Sequence, residues 1–275
     1  MLEIKSLYKK YKKKSPFVLY DISLKVAEGE RVAVLGPSGA GKTTLLRCLN
    51  QIHLPSKGDI VFAGKQVNKL RGKTLSLTRC QLGMIFQNFG LVPRHSVVEN
   101  VMMGRLGYQS LWRSLLFRFT EKDNQMALEA LNKVGLSDFA DKRVEELSGG
   151  QRQRVAIARA LMQRPKLILA DEPVASLDPH TAKSVMGILR KLNQEENITM
   201  IVNLHTVELA KEFATRVIGM TEGEITFDGK PEELSDEILA KIYQGNTIGQ
   251  KDNEESLEGG IGCSQESQSV KSCCG

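Results

Sequence analysis
The residues best suited to chemistry fall in two short glycine-rich segments. Gly36-Pro37-Ser38-Gly39-Ala40-Gly41-Lys42-Thr43, with Thr44 behind it, directly follows the apolar run Val32-Ala33-Val34-Leu35. Glycines at this spacing let backbone N–H groups turn inward around anionic oxygens, and a helix starting at about Lys42 aims its positive end at the same anion. Lys42 then supplies a point charge for the β- and γ-phosphates, and Thr43 a hydroxyl oxygen for Mg²⁺. The second segment, Leu147-Ser148-Gly149-Gly150-Gln151, reads as a helix N-terminus. Ser148 is a suitable N-cap, and two adjacent glycines permit close backbone approach to a phosphate. It lies too far along the chain to be assumed to meet its own phosphate loop.

Two carboxylates and two further polar residues complete the set. Asp171 and Glu172 follow the run Leu167-Ile168-Leu169-Ala170. The aspartate suits a carboxylate linked to the Mg²⁺, and Glu172 can polarise water for attack on a γ-phosphate. Adjacent acids are usually surface charge; a buried strand before them and a phosphate loop elsewhere reverse that reading. Gln87 follows Met84-Ile85-Phe86, within reach of metal and attacking water. His205 follows Ile198-Thr199-Met200-Ile201-Val202, as a donor to the γ-phosphate.

These groups need a scaffold that brings them together. Continuous β-branched and aliphatic runs fit strands buried on both faces of a parallel α/β sheet, where ligands bind at the carboxyl ends of the strands. All four polar sites sit at such ends by sequence order. From about Asn88 to Gln163 the pattern turns helical, with Ala127, Leu128, Leu131 and Val134 at helical spacing and a helix from Ser148 to about Gln163. This predicts a helical subdomain, residues 88–163, inserted into the core. Glu222-Gly223-Glu224 predicts a hairpin turn, and Pro231 and Ser235 precede a short final helix ending near Tyr243. Residues 246–275 are rich in Gly, Ser, Gln and acids and are expected to be disordered. No prenylation box accompanies Cys273 and Cys274.

Composition narrows the class. With 275 residues, 41% of them hydrophobic, the chain is long enough for one large domain or two small ones and is expected to bury a sizeable core. Apolar runs are strand-sized, far short of the roughly 18 residues of a membrane span. The first residues carry no signal-peptide pattern, so an intracellular protein is expected. The five cysteines form neither a disulfide framework nor a zinc-ligand pattern. Residues 1–14 hold six lysines against Glu3, or +5 of the chain's net +6. A solvated loop explains this most simply; attraction to an anionic membrane surface is the sharper alternative. Nothing else in the chain supports nucleic-acid binding. There are no sustained heptads for a coiled coil, and there is a single phosphate loop.

Together these motifs resemble the ATP-binding cassette ATPases over residues 1–243. The resemblance implies a P-loop NTPase α/β core of the cassette type, with an inserted α-helical subdomain and an N-terminal antiparallel β region, in one nucleotide-binding domain over residues 1–245. It makes Gln87 the Q-loop residue, residues 147–151 the signature, Asp171-Glu172 the Walker B pair, Ser176-Leu177-Asp178 the D-loop and His205 the switch histidine. It also implies a head-to-tail dimer with ATP and Mg²⁺ between each phosphate loop and the partner's signature. An aromatic is implied against adenine, Tyr11 in preference to Tyr8. Gly104-Arg105-Leu106-Gly107-Tyr108, Ser110–Leu115, Asp171–Pro179 and Asn203-Leu204-His205 further resemble the ATPase subunit of phosphonate importers. That likeness implies membrane permease subunits, a solute-binding protein acting indirectly, and a peripheral place on the cytoplasmic face of a bacterial inner membrane. Leu111, Trp112, Leu115, Leu116 and Phe119 share a helical face, a candidate dock for a permease helix if they do not simply pack within the subdomain.

Overall fold
The computed structural model describes residues 1–109 and 119–243. In chain order the first half contains β1 (Leu2–Lys9), β2 (Leu19–Val26), β3 (Arg31–Leu35), α1 (Lys42–Leu49), β4 (Lys57–Phe62), β5 (Lys65–Gln66), α2 (Gly72–Cys80), β6 (Leu82–Ile85) and α3 (Val97–Met102). The second half contains α4 (Glu121–Lys133), α5 (Gly149–Leu161), β7 (Leu167–Asp171), α6 (Pro179–Glu196), β8 (Thr199–Asn203), α7 (Val207–Phe213), β9 (Arg216–Thr221), β10 (Glu224–Gly229) and α8 (Asp236–Tyr243).

Two sheets result. One is antiparallel, in the order β2-β1-β4-β5. The other runs β10-β9-β3-β8-β7-β6, parallel except for its β10 edge. The apolar runs explain the parallel sheet. Ala33 and Leu35 enter one core with Ile168, Ala170, Met200 and Val202, beneath helices α3 to α7. Val32 and Val34 enter the other with Leu167, Leu169 and Ile201, beneath α1 and the antiparallel sheet. Successive side chains on one strand therefore feed opposite cores, as a doubly covered strand requires.

The lysine-rich N-terminus divides between strand and loop: Lys5 and Lys9 lie in β1 of the expected antiparallel region, and Lys10, Lys12, Lys13 and Lys14 lie in the solvated loop after it. Leu2, Ile4 and Leu7 are buried in β1, and the lysines occupy its outer face and the segment after it. Ile4 and Leu7 are three residues apart, which would place them on opposite faces. A register shift between them, with Ser6 at φ 43°, brings both inward.

Local signals set the helix starts. Ser96 with Glu99, Thr120 with Asp123, and Ser148 with Gln151 form capping boxes at α3, α4 and α5. Asp178 caps α6 and Pro179 occupies its first turn. On α4 the buried face is Ala127, Ala130 and Leu131, whereas Leu128, expected on that face, is 42% exposed. Glu222 and Gly223 both take left-handed backbone in the β9–β10 hairpin turn. The chain then returns on α8, where Thr221 Oγ1 donates to the Ile242 carbonyl at 2.7 Å. Of the proposed docking face only Phe119 is among the described residues; Leu111, Trp112, Leu115 and Leu116 lie outside them, as does the segment 246–275.

Candidate nucleotide site
The phosphate loop spans the gap between β3 and α1. Gly36 at φ 149° faces the Met220 carbonyl so closely that a Cβ has no room. Gly41, at φ 98°, would place a Cβ 2.8 Å from the Val18 oxygen. Both positions thus require glycine for conformation and for space. The loop lines an open cavity of about 270 Å³ with Val18, Ser38, Lys42, Thr43, Thr44 and Glu172 at its wall. Lys42 is only 4% exposed, and its Nζ donates to the Gly36 and Pro37 carbonyls at 2.7 and 3.0 Å. Burial pushes its ammonium below the ordinary lysine value, while Glu172 and Asp171 pull it back up.

Asp171, the last residue of β7, is buried, and its Oδ1 accepts two hydrogen bonds. Thr43 Oγ1 donates at 2.8 Å from the phosphate loop, and Asn203 Nδ2 donates at 2.8 Å from β8. The parallel register sets Asp171 directly beside Asn203. Glu172 follows at φ 51°, a left-handed conformation costly for a side chain of its kind. Its Oε1 lies 2.5 Å from Nε2 of His205, in the turn after β8. Glu172 and His205 also border a larger groove, about 510 Å³, between the turn holding Val174, Ala175 and Leu177 and helices α6 and α7.

Tyr11 does not line the phosphate cavity, and it reaches that cavity's wall only through Thr44. Its hydroxyl bonds Thr44 Oγ1 at 3.1 Å, its ring is 54% exposed, and His53 packs edge-on against it at 5.3 Å. Tyr8 instead packs with Phe17 and Tyr20.

The remaining candidates stand apart. Gln87 is exposed in the turn after β6 and does not line the phosphate cavity. None of Leu147, Ser148, Gly149, Gly150 and Gln151 lines it either. Ser148 is exposed and its hydroxyl accepts from the Gln151 N–H at 3.3 Å, while Gln151 Oε1 accepts from the Ser148 N–H at 2.9 Å. The two glycines were both expected to be open to a phosphate, but they differ. Gly150 is buried, with no room for a Cβ against Thr181 Cγ2 on α6, whereas a Cβ on Gly149 would meet Leu177 at 3.3 Å. Asp178 accepts from the Thr181 N–H at 3.0 Å, and that bonding with Thr181 holds its carboxyl below the usual range.

Sequence reading missed Asn203 as a partner of Asp171. The signal was a polar residue closing an apolar strand two positions before His205. It also missed Val18, which the fold alone brings against Gly41.

A parallel α/β sheet with a glycine phosphate loop, a buried aspartate bonded to that loop and a glutamate–histidine pair at adjacent strand ends defines a P-loop nucleotide-binding ATPase. Residues 19–175 match the family model described as "ABC transporter", and the chain belongs to that family. Two curated relatives are each named "Phosphonates import ATP-binding protein PhnC". That of Lactobacillus delbrueckii subsp. bulgaricus is 50% identical over 89% of this chain and 95% of its own length. That of Staphylococcus epidermidis is 50% identical over 86% of this chain and 91% of its own. Among solved structures, the ATP-binding cassette MJ0796, a dimer in a post-hydrolysis state bound to ADP and Pi, superposes with TM-score 0.74 and 34% identity. That match covers 85% of this chain and 100% of MJ0796. CbiO1 of Clostridium perfringens, part of the ABC transporter complex CbiONQ, superposes with TM-score 0.75 at 30% identity, over 87% and 92%.

Proposed function
We propose that this chain is the ATP-hydrolysing subunit of an importer of phosphonates. The observation that carries this reading is half identity, over nearly their full length, to curated phosphonate import proteins. The assembled Lys42, Thr43, Asp171, Glu172 and His205 agree with it.

The residues fit a phosphate-bound Mg²⁺. Thr43 Oγ1 and Asp171 Oδ1 are hard oxygen donors 2.8 Å apart, and the buried Asn203 Oδ1 beside them has no bond partner among the described residues. It is an acceptor that the waters of a hydrated cation would satisfy. Among the described residues no three His, Cys, Asp or Glu side chains cluster as a metal site of their own. The ion would therefore keep phosphate and water ligands, which Mg²⁺ prefers. Bound there, Mg²⁺ would neutralise charge on the β- and γ-phosphates. Lys42 and the loop N–H groups hold those phosphates, Tyr11 covers the adenine, and Glu172 takes the proton of the attacking water. His205 orients Glu172 and donates to the γ-phosphate, and Gln87 reaches the site from the β6 end.

In this reading two copies pair head to tail. Ser148, Gly149 and the N-terminus of α5 close on the partner's ATP, with Asp178 at the junction. The stretch 88–163 acts as the helical unit that meets the permease on the cytoplasmic face of the inner membrane. A solute-binding protein acts from the other side, and residues 246–275 are dispensable. No described helix is long and apolar enough to cross a membrane, which agrees with a peripheral subunit.

The test is growth of a strain deleted for this chain on methylphosphonate or 2-aminoethylphosphonate as sole phosphorus source, with phosphate as control. Growth should be lost on phosphonate alone and restored by wild type but not by Glu172→Gln. Normal growth in a strain with no second importer would move the cargo to another oxoanion.

A further inference from the structure
Two residues after Gln87 the backbone takes an unusual course. Phe89 and Gly90 are both left-handed, at φ 56° and 59°. Glycine adopts this freely; a bulky aromatic does not, so something must hold the turn. Two arginines of α5 do so. Arg159 Nη1 donates to the Gly90 carbonyl at 2.5 Å, and its Nη2 to the Phe89 carbonyl at 2.7 Å. The Arg152 guanidinium lies 5.6 Å from the centre of the Phe89 ring. Arg152 and Arg159 are two helical turns apart and therefore share a face. Their helix is the one whose N-terminus carries Ser148 and the signature. A planar guanidinium spans two successive carbonyls; an ammonium cannot do this with the same geometry.

We infer that Arg159 is a positioning residue for ATP hydrolysis: its forked bonds hold the Phe89–Gly90 turn and so tie the place of Gln87 to the place of the signature helix. A strained turn held from outside keeps its shape only while that contact lasts. It is fixed while α5 stays in contact and relaxes when α5 moves away, so Gln87 follows the helix that contacts the partner's nucleotide. Arg159 lines no part of the phosphate cavity. Its loss should therefore lower kcat and leave the KM for ATP nearly unchanged. This rests on the role given to Gln87 above.

The experiment is a double-mutant cycle on the purified full-length protein, reading kcat and KM of Mg-ATP hydrolysis together with thermal melts. Arg159→Met should lower kcat about tenfold or more with KM within about twofold, and Arg159→Lys should fall between it and wild type. Arg159→Met combined with Gln87→Ala should be no slower than Gln87→Ala alone, because both changes remove one function. Losses that multiply, or an unchanged kcat in Arg159→Met, would overturn the inference while leaving the role of Gln87 intact. A normal kcat in Gln87→Ala would remove that role and the inference with it. If Arg159→Met does not fold, Arg159→Lys, which keeps charge and stem, carries the same cycle.

Discussion
Asp171 accepts two hydrogen bonds on one oxygen, and the two donors have different fates once nucleotide arrives. If Mg²⁺ binds as proposed, Thr43 would turn its hydroxyl oxygen to the cation, while Asn203 could keep its bond and hold the carboxylate in place. Outer partners of this kind typically change metal affinity 10- to 100-fold when removed. Asn203→Leu should raise the Mg²⁺ concentration for half-maximal ATPase by about tenfold or more, with ATP binding in the absence of Mg²⁺ little changed. A titration of turnover against Mg²⁺ checks this, and an unchanged midpoint would reduce Asn203 to a strand-end residue. Tyr11 allows a second prediction at this scale. Its exposed ring can contribute by stacking, worth about 1 kcal/mol. Tyr11→Ala should therefore weaken ATP binding by about fivefold, and Tyr11→Phe, which loses only the bond to Thr44, by less. Fluorescent-nucleotide titration separates the two variants.

At the scale of elements, the site depends on how helices are started and stacked. Gly150 lies inside the proposed signature, yet its surroundings are those of a packing glycine under Thr181. Gly150→Ala should cost about 1–3 kcal/mol of stability through overpacking. Thr181→Ser, which removes the obstructing methyl, should recover much of it. If the second change recovers the melting temperature but not turnover, Gly150 also serves the phosphate. The cap of α4 carries a pH signature. Burial alone would raise the carboxyl of Asp123, but the Thr120 N–H and hydroxyl and the Arg105 guanidinium outweigh it and hold it below its ordinary 3.8. A depressed folded-state value stabilises above the unfolded value and is lost as pH falls through the folded one. Asp123→Asn should thus cost about 1–2 kcal/mol at neutral pH, and its deficit should shrink as urea melts are taken below about pH 4. The strands were legible because runs such as Leu167–Ala170 are apolar on both faces, and the α5 start because Ser148 is a suitable N-cap. Leu128 misled because a helical repeat does not say which arc faces the core. The lysines marked the solvated loop after β1 but not where it begins, because their charge hid the inward Leu2, Ile4 and Leu7, whose phase is reset by the irregularity at Ser6.

For the whole molecule, what sequence leaves hidden is register and reach. Asn203 meets Asp171 only because two strands from distant parts of the chain pair at that residue. The Arg159 fork likewise depends on where α5 lies over the turn after β6. Distance matters most for Lys42 and Ser148. Both sit at helix N-terminal ends on one chain, yet Ser148 lines no part of the cavity that holds Lys42. If each active site takes its phosphate loop from one copy and its signature from another, two defective chains can complement. Lys42→Ala retains a working signature, and Ser148→Arg retains a working phosphate loop. Neither homodimer can build a complete site. A mixed dimer builds one site from the intact loop and the intact signature, and one site with both parts broken, as head-to-tail pairing dictates. Mixing the two purified variants should therefore restore ATP hydrolysis that neither shows alone. The recovered rate should rise with the mixed fraction and peak at equal amounts. If each chain closed its own signature over its own nucleotide, every mixture would stay inactive.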